Sequence, residues 1–289
     1  MPSSPSAGPP VNAESTRGSY PQWVVLDTVV GGARYRHKSD AKASAASTRT
    51  AASVSFSLVA PPEVSSFAVR CHGPRDDDGL PFHARVVSAQ GNAVLLYVIL
   101  DRDRPGLYFV YSVGQGNSSL EVLPPSDSFH SIDAMGILPM PNGGSGSEGY
   151  VLATITRVIT DGILKYQLLR YSSKTKAWST KLAHLECDCE DDDLSDLLNH
   201  STHEVIAVGS SLGWVDLWRG ILVCDVLNEE DPLIRFIDLP GPMPSNEHWF
   251  GTSSAQACRD VICAGDLIKF VEVEYHRGDH AECSDDVCH

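Results

Sequence analysis

The sequence of 289 residues lacks an apolar run long enough to cross a bilayer. Its longest such run, residues 93–100, is far shorter than the roughly 20 residues that a membrane-spanning helix needs. Residues 1–18 are rich in proline, serine and alanine without an apolar segment, so no secretory signal peptide is predicted. We therefore expect a protein of the cytoplasm or nucleus that is neither secreted nor bound to a membrane.

The sequence also has few basic residues, 22 lysines and arginines against 37 acidic residues, which gives a formal net charge of −15. The basic residues are scattered, and the net charge would repel a phosphate backbone, so direct nucleic-acid binding is not expected. The eight cysteines have irregular spacing and no C-x-x-C pair, which indicates reduced thiols rather than a disulfide framework.

Helical periodicity is nearly absent, and only residues 193–199 have a weakly helical pattern. Short apolar or alternating runs recur instead, each bounded by Pro, Gly, Asn or Asp. Two antiparallel meanders are predicted, one over residues 82–113 and one over residues 150–185. Further strands are predicted at residues 53–59, 205–208, 212–217, 220–226, 234–239, 260–264 and 267–274.

This pattern predicts an all-β fold of many short antiparallel strands, with propeller-like blades of the kelch or F-box-associated kind. Residues 168–178 (LLRYSSKTKAW) resemble a blade hairpin of those propellers. Residues 1–21 are predicted to be a disordered Pro/Ser-rich lead, and residues 31–52 a mobile loop. The single β-rich domain is expected over residues 22–274, followed by a flexible Cys/His/acidic tail at 275–289.

Four stretches of the sequence carry a family resemblance: 23–27 (WVVLD), 212–227 (LGWVDLWRGILVCDVL), 232–244 (PLIRFIDLPGPMP) and 259–274 (RDVICAGDLIKFVEVE). The chain resembles the plant family called domain-of-unknown-function 1618, which is expanded in grasses, with the most specific motif at residues 213–220. The resemblance implies a plant protein of unknown biochemistry, without catalytic residues that could be carried over. Because members of that family typically continue past the last stretch, a truncated chain is one hypothesis.

One motif suggests catalysis. Residues 209–213 match G-x-S-x-G, the nucleophile elbow, in which a strand-to-helix turn exposes a serine to a histidine base. Ser211 would be the nucleophile of an esterase-like hydrolase. The residues that follow have a strand-and-turn composition, so a plain β-turn is the favoured interpretation.

The C-terminal tail contains ligand types that suit zinc, at His276, His280, Cys283 and Cys288. All of them fall within a short polar segment, whereas a structural zinc site usually pairs two ligand couples across a longer loop. We therefore predict no metal site and no cofactor.

Trp214 and Trp218 are candidates for an interaction surface, since exposed tryptophans anchor protein interfaces. The alternative is that they pack in the core of a strand-rich domain. The leading functional hypothesis is a non-enzymatic module that binds an unknown protein partner; the esterase and a non-functional truncated fragment are the alternatives. An F-box is not expected, because too few residues precede the first strand.

Overall fold

The computed structural model describes residues 24–32, 41–45, 50–72, 83–99, 106–113, 118–125, 134–140, 149–160, 163–186, 191–251, 255–265 and 267–274. Strands dominate these residues, and the all-β prediction is confirmed. No helix among them is long and apolar enough to span a membrane.

The first sheet is built around β5 (Val64–His72), which pairs in antiparallel fashion with β4 (Thr50–Ser57). Two short strands, β1 (Val25–Leu26) and β2 (Gly31–Gly32), run parallel to β5, and β3 (Ala41–Ala45) extends the sheet beyond β4. The prediction of a loop over residues 31–52 was therefore wrong for 31–32, 41–45 and 50–52, whereas residues 33–40 and 46–49 lie outside the described part of the chain. The alanine- and serine-rich β3 has no apolar alternation, and only its backbone pairing with β4 defines it as a strand.

The second sheet is the predicted meander, extended by one strand: β6 (His83–Gln90), β7 (Ala93–Ile99), β8 (Leu107–Ser112) and β9 (Ser119–Val122). One face of β7, with Val94 and Leu96, packs against Phe67 of the first sheet. Its other face, with Leu95, packs towards Ile137 of the third sheet. The continuous apolar run of β7 thus reflects a strand that is covered on both faces.

The third sheet has eight strands: β10 (Gly136–Pro139), β11 (Tyr150–Thr160), β12 (Ile163–Ser172), β13 (Ala177–Glu186), β14 (Glu204–Val208), β15 (Ser211–Asp216), β16 (Gly220–Asp225) and β17 (Leu233–Asp238). Their order is β10-β11-β12-β13-β17-β16-β15-β14, and only the β13–β17 pair is parallel. The second predicted meander, β11–β12–β13, is confirmed.

This third sheet is curled into a nearly closed barrel. Its two end strands, β10 and β14, lie side by side, and a Cβ atom on Gly136 would approach within 2.7 Å of Val205 Cγ1. All eight strands direct one face into a common core, formed by Leu138, Val151, Ala153, Tyr166, Leu168, Ala183, Leu212, Trp214, Leu222, Cys224 and Ile234, with Val205, Ala207, Leu185 and Phe236 packed against it. The predicted helix is confirmed as α1 (Asp191–Asn199), and its Leu197 reaches the same core.

A final hairpin, β18 (Arg259–Ala264) and β19 (Leu267–Glu272), packs on the outside of the barrel. Two short 3-10 helices, Pro244–Trp249 and Ala255–Ala257, precede it. The propeller-like arrangement is not confirmed. A propeller consists of separate blades around a channel, whereas here eight strands surround one filled core.

Candidate functional site

Ser211 does not lie at a nucleophile elbow. It is the first residue of β15, where it pairs with Val208 across a tight turn that contains Gly209 at φ +59°. A strand follows it rather than a helix, so the strand–turn–helix context that the G-x-S-x-G motif requires is missing. The favoured interpretation as a β-turn is correct.

Trp214 and Trp218 are both buried, at 0% and 4% exposure. Trp214 lies in the barrel core, and its Nε1 donates a hydrogen bond of 2.8 Å to the Ala134 carbonyl. Trp218 lies in the core between the barrel and the β18–β19 hairpin. The interpretation of these two side chains as an exposed interaction surface was therefore wrong, because Trp214 faces the barrel core from β15 and the β18–β19 hairpin covers Trp218 in the turn after it.

The predicted zinc candidates His276, His280, Cys283 and Cys288 lie outside the described residues. Among the residues that the structure describes, no three His, Cys, Asp or Glu side chains are grouped so that they could hold a metal ion.

Asp216 is the last residue of β15 and stabilises the turn that follows it. Its side chain is fully buried and accepts hydrogen bonds from the backbone N–H groups of Ser201 (2.7 Å) and Trp218 (2.9 Å). Arg219 Nη1 adds a charged contact at 3.3 Å. The bond to Trp218 forms an Asx-turn, in which the side chain closes the turn from β15 to β16.

Two histidines flank this carboxylate. Burial lowers the pKa of His203 even though the charge of Asp216 opposes that shift. His203 Nδ1 accepts a hydrogen bond from the Leu217 N–H, so this nitrogen carries no proton and its 3.7 Å approach to Asp216 is not an ion pair. Burial also lowers the pKa of His200, whose Nε2 lies 3.1 Å from the Trp214 carbonyl oxygen. Both rings are therefore neutral and hydrogen-bond to the backbone of β15 and of the turn that follows it.

Gly220 begins β16 at a place where no larger residue fits. A Cβ atom there would lie 2.5 Å from the Phe236 ring and 2.6 Å from the Ile237 carbonyl oxygen. Residues 213–220 form the most specific motif of the sequence. Within it, Trp214 and Trp218 pack in the core, Asp216 closes the turn, and Gly220 allows close packing.

A polar cluster around the Glu121 carboxylate joins the second sheet to the barrel. Glu121 accepts hydrogen bonds from the hydroxyls of Tyr150 (3.0 Å) and Tyr171 (3.2 Å) and pairs with Lys176 at 2.8 Å. Burial, aided by the Glu121 charge, raises the pKa of Tyr171 to about 12. The two phenols are therefore donors that stay protonated, and the cluster ties β9 to the barrel wall.

Among the residues that the structure describes, the most heavily buried ion pair lies under the β18–β19 hairpin. Arg259 Nη2 lies 3.1 Å from Glu272 Oε2, and the exposed fractions of the two side chains are 0% and 4%. The guanidinium also donates to the Leu217 and Pro240 carbonyls and lies over the rings of Trp218 and Phe270.

Hydrogen bonds also determine the charge state of Glu272. Burial alone would raise the pKa of Glu272, but hydrogen bonds from Asn246, the Met243 N–H and Arg259 outweigh burial and lower it. This carboxylate therefore stays ionised and holds the hairpin to the 3-10 helix at Pro244–Trp249, while Arg259 links the hairpin to the Leu217 carbonyl.

The opposite face of the same hairpin is exposed and mostly apolar, and its charged residues are Lys269 and Asp260, the cross-strand partner of Val271. Ile262 (52%), Leu267 (66%), Val271 (54%) and Val273 (53%) are all more than half exposed, and the exposed Lys269 lies among them. We call these five residues the outer hairpin face. Ile262 is the cross-strand partner of Lys269 and the diagonal neighbour of Leu267 and Val271, which makes the face continuous.

Sequence reasoning missed this face, although a signal was present. The alternation of residues 267–274 gives two apolar sets, and both are hydrophobic enough to be core. Each face also carries two charged residues, Arg259 and Glu272 on one and Asp260 and Lys269 on the other, so the sequence does not show which face is buried.

The fold and these contacts define an all-β protein with a barrel centre and an apolar hairpin face. Residues 214–288 match the family described as "Protein of unknown function (DUF1618)". The match confirms the predicted domain family for residues 214–288, whereas the stretch at 23–27 lies outside the match and the plant source stays a prediction. Neither the curated proteins nor the solved structures compared with the chain include a match.

Proposed function

We propose that this protein is a non-enzymatic interaction module whose outer hairpin face binds another protein. The observation that carries the proposal is the exposure of four aliphatic side chains on one continuous strand pair. Exposed apolar residues that occur singly are ordinary, whereas a contiguous group on one face indicates a binding surface.

The rigid support of this face favours the same function. The inner side of the hairpin is held by Arg259, Glu272 and the buried Val261, so the outer aliphatic residues are presented in a fixed arrangement. A preorganised surface loses little conformational entropy when a partner binds.

A second copy of the chain is a poor occupant. If β19 of two copies paired in antiparallel fashion with Leu267 opposite Val271, their Lys269 residues would lie directly opposite each other. Like charges in that position destabilise a strand pair, and a net charge of −15 on each copy adds repulsion. The partner is therefore a different protein.

The test compares three forms of the full chain as bait in extract of the source organism, with bound proteins quantified by mass spectrometry. The first is wild type and the second is Ile262→Thr/Leu267→Thr. The matched control is Ile159→Thr/Ile163→Thr. It alters two isoleucines at the β11–β12 turn whose exposure (71% and 60%) is similar to that of Ile262 and Leu267. We expect a partner that binds wild type and the control but is lost from the hairpin variant, and that binds again when both purified proteins are mixed.

Two results would contradict the proposal. One is a partner set that is the same for all three forms of the chain. The other is labelling of the protein by a fluorophosphonate probe that disappears in Ser211→Ala, which would restore the hydrolase hypothesis.

A further inference from the structure

The free edge of the hairpin can be located from its hydrogen bonds. Val273 N donates to the Cys258 carbonyl at 2.8 Å, so 258 and 273 form a hydrogen-bonded pair. Hydrogen-bonded and non-hydrogen-bonded residue pairs alternate along an antiparallel ladder. The further hydrogen-bonded pairs are therefore 260–271, 262–269 and 264–267. The N–H and C=O groups of residues 268 and 270 therefore point away from β18, towards the other edge of β19.

This edge is open within the described part of the chain, because the hairpin is a two-stranded sheet. The outer edge of β18 differs: the Val261 N–H points there and is already bonded to Asp260 and Glu204. An open edge with paired donors and acceptors is a template for a further strand.

An added strand would lie beside the outer hairpin face in a defined register. In the added strand, the side chains opposite residues 267, 269 and 271 would lie on that face. These would be non-hydrogen-bonded positions, where side chains of the two strands approach closely. Leu267 and Val271 favour apolar neighbours, and Lys269 between them favours a carboxylate.

We infer that the β19 edge binds an extended segment of a partner protein with the pattern apolar–x–acidic–x–apolar, paired antiparallel to residues 267–271. This inference rests on the proposed function, and it specifies how the partner is recognised. The acidic position supplies charge complementarity to Lys269, and the two apolar positions cover Leu267 and Val271.

The test uses the isotope-labelled full chain and three synthetic heptapeptides. The first peptide is acetyl-Thr-Val-Thr-Glu-Thr-Val-Thr-amide, and the second has Lys in place of Glu. The third is the first peptide with N-methyl groups on the two threonines that flank the glutamate, which removes the N–H groups that would bond to residues 268 and 270. Amide NMR shifts locate the binding site, and titration gives the affinity.

We expect the glutamate peptide to shift the amides of Ile268 and Phe270 and to bind roughly two- to fivefold more tightly than the lysine peptide. Lys269→Glu should reverse that order, and Lys269→Met should abolish the difference while preserving binding. The N-methylated peptide should not shift these amides.

Absence of shifts at residues 268 and 270 with the glutamate peptide, or an unchanged order of affinity in Lys269→Glu, would overturn the inference. Its failure is distinguishable from that of the proposed function. If Ile262→Thr/Leu267→Thr still loses its partner while the peptides show no preference, the face binds a protein by another geometry. If that variant loses nothing, the proposed function fails as well.

Discussion

The two faces of the β18–β19 hairpin are similar in composition but differ in what covers them, since the inner face also packs Val261, Ile268 and Phe270 and the outer face also carries Lys269. The inner face buries a charged pair, Arg259 and Glu272, while the outer face exposes four aliphatic side chains. Strand alternation gives the hairpin two faces, but it does not determine which of them is covered. The comparison shows that contacts with the barrel, rather than hydrophobicity, decided which face is buried.

The inner pair is costly to bury, and neighbouring groups offset that cost. Three carbonyl or carboxylate acceptors surround the guanidinium, and two rings lie against it, although its Nε has no hydrogen-bond partner within the described residues. The outer face has no comparable network. Substitutions on the inner face should therefore change the stability of the protein, whereas substitutions on the outer face should change partner binding.

The largest expected effect is on the inner face. Arg259→Met leaves Glu272 buried without its cation, which should lower the free energy of unfolding by about 3–5 kcal/mol. Denaturant titration monitored by tryptophan fluorescence measures this change. Arg259→Met combined with Glu272→Gln removes both charges and should recover most of the loss; a double variant as unstable as the single one would show that the pair is not the cause.

A smaller effect is expected at the edge of β18, where Glu204 faces Asp260. Burial, with the Asp260 charge next in importance, raises the pKa of Glu204 from 4.5 to about 7. A raised pKa in the folded state means that this group's stabilisation is fully present below pH 4.5 and is lost as the pH rises through 7.

Unfolding free energies at pH 5 and pH 8 test this assignment. After allowance for solvent screening, the Glu204 contribution to the difference is on the order of 1 kcal/mol, with greater stability at pH 5. Glu204→Gln should remove this contribution and stabilise the protein at pH 8. An unchanged difference in Glu204→Gln would assign the pH dependence to another group.

The smallest effect on stability is expected on the outer face. Ile262→Thr keeps a β-branched side chain at a position that is 52% exposed, so the free energy of unfolding should change by no more than about 0.5 kcal/mol. The adjacent Val261 is 2% exposed, and Val261→Thr should cost about 1–3 kcal/mol because its hydroxyl is buried. Equal losses in these neighbouring variants, measured by thermal denaturation, would contradict the assignment of the two faces.

Most strands could be predicted because their signal is local. Residues 150–158 and 212–217, for example, alternate or run apolar between turn residues, and β11 and β15 lie there. Strands β9 and β10 were missed because each has only four residues, and β5 was missed because Ser65, Ser66 and Arg70 interrupt its apolar residues even though Ser65 is buried. The candidate site was predicted poorly, because burial of Trp214 and exposure of Ile262 depend on partners far away in the chain.

The sequence by itself determined the all-β class, the positions of most strands and the family match in the C-terminal part. Each of these follows from residue order within short windows. Only the tertiary structure decided that eight strands close around Trp214, that Asp216 is buried in a turn, and that the charged face of the last hairpin lies inward. The physical reason is that a period of two residues defines two faces, whereas long-range packing selects the one that water reaches.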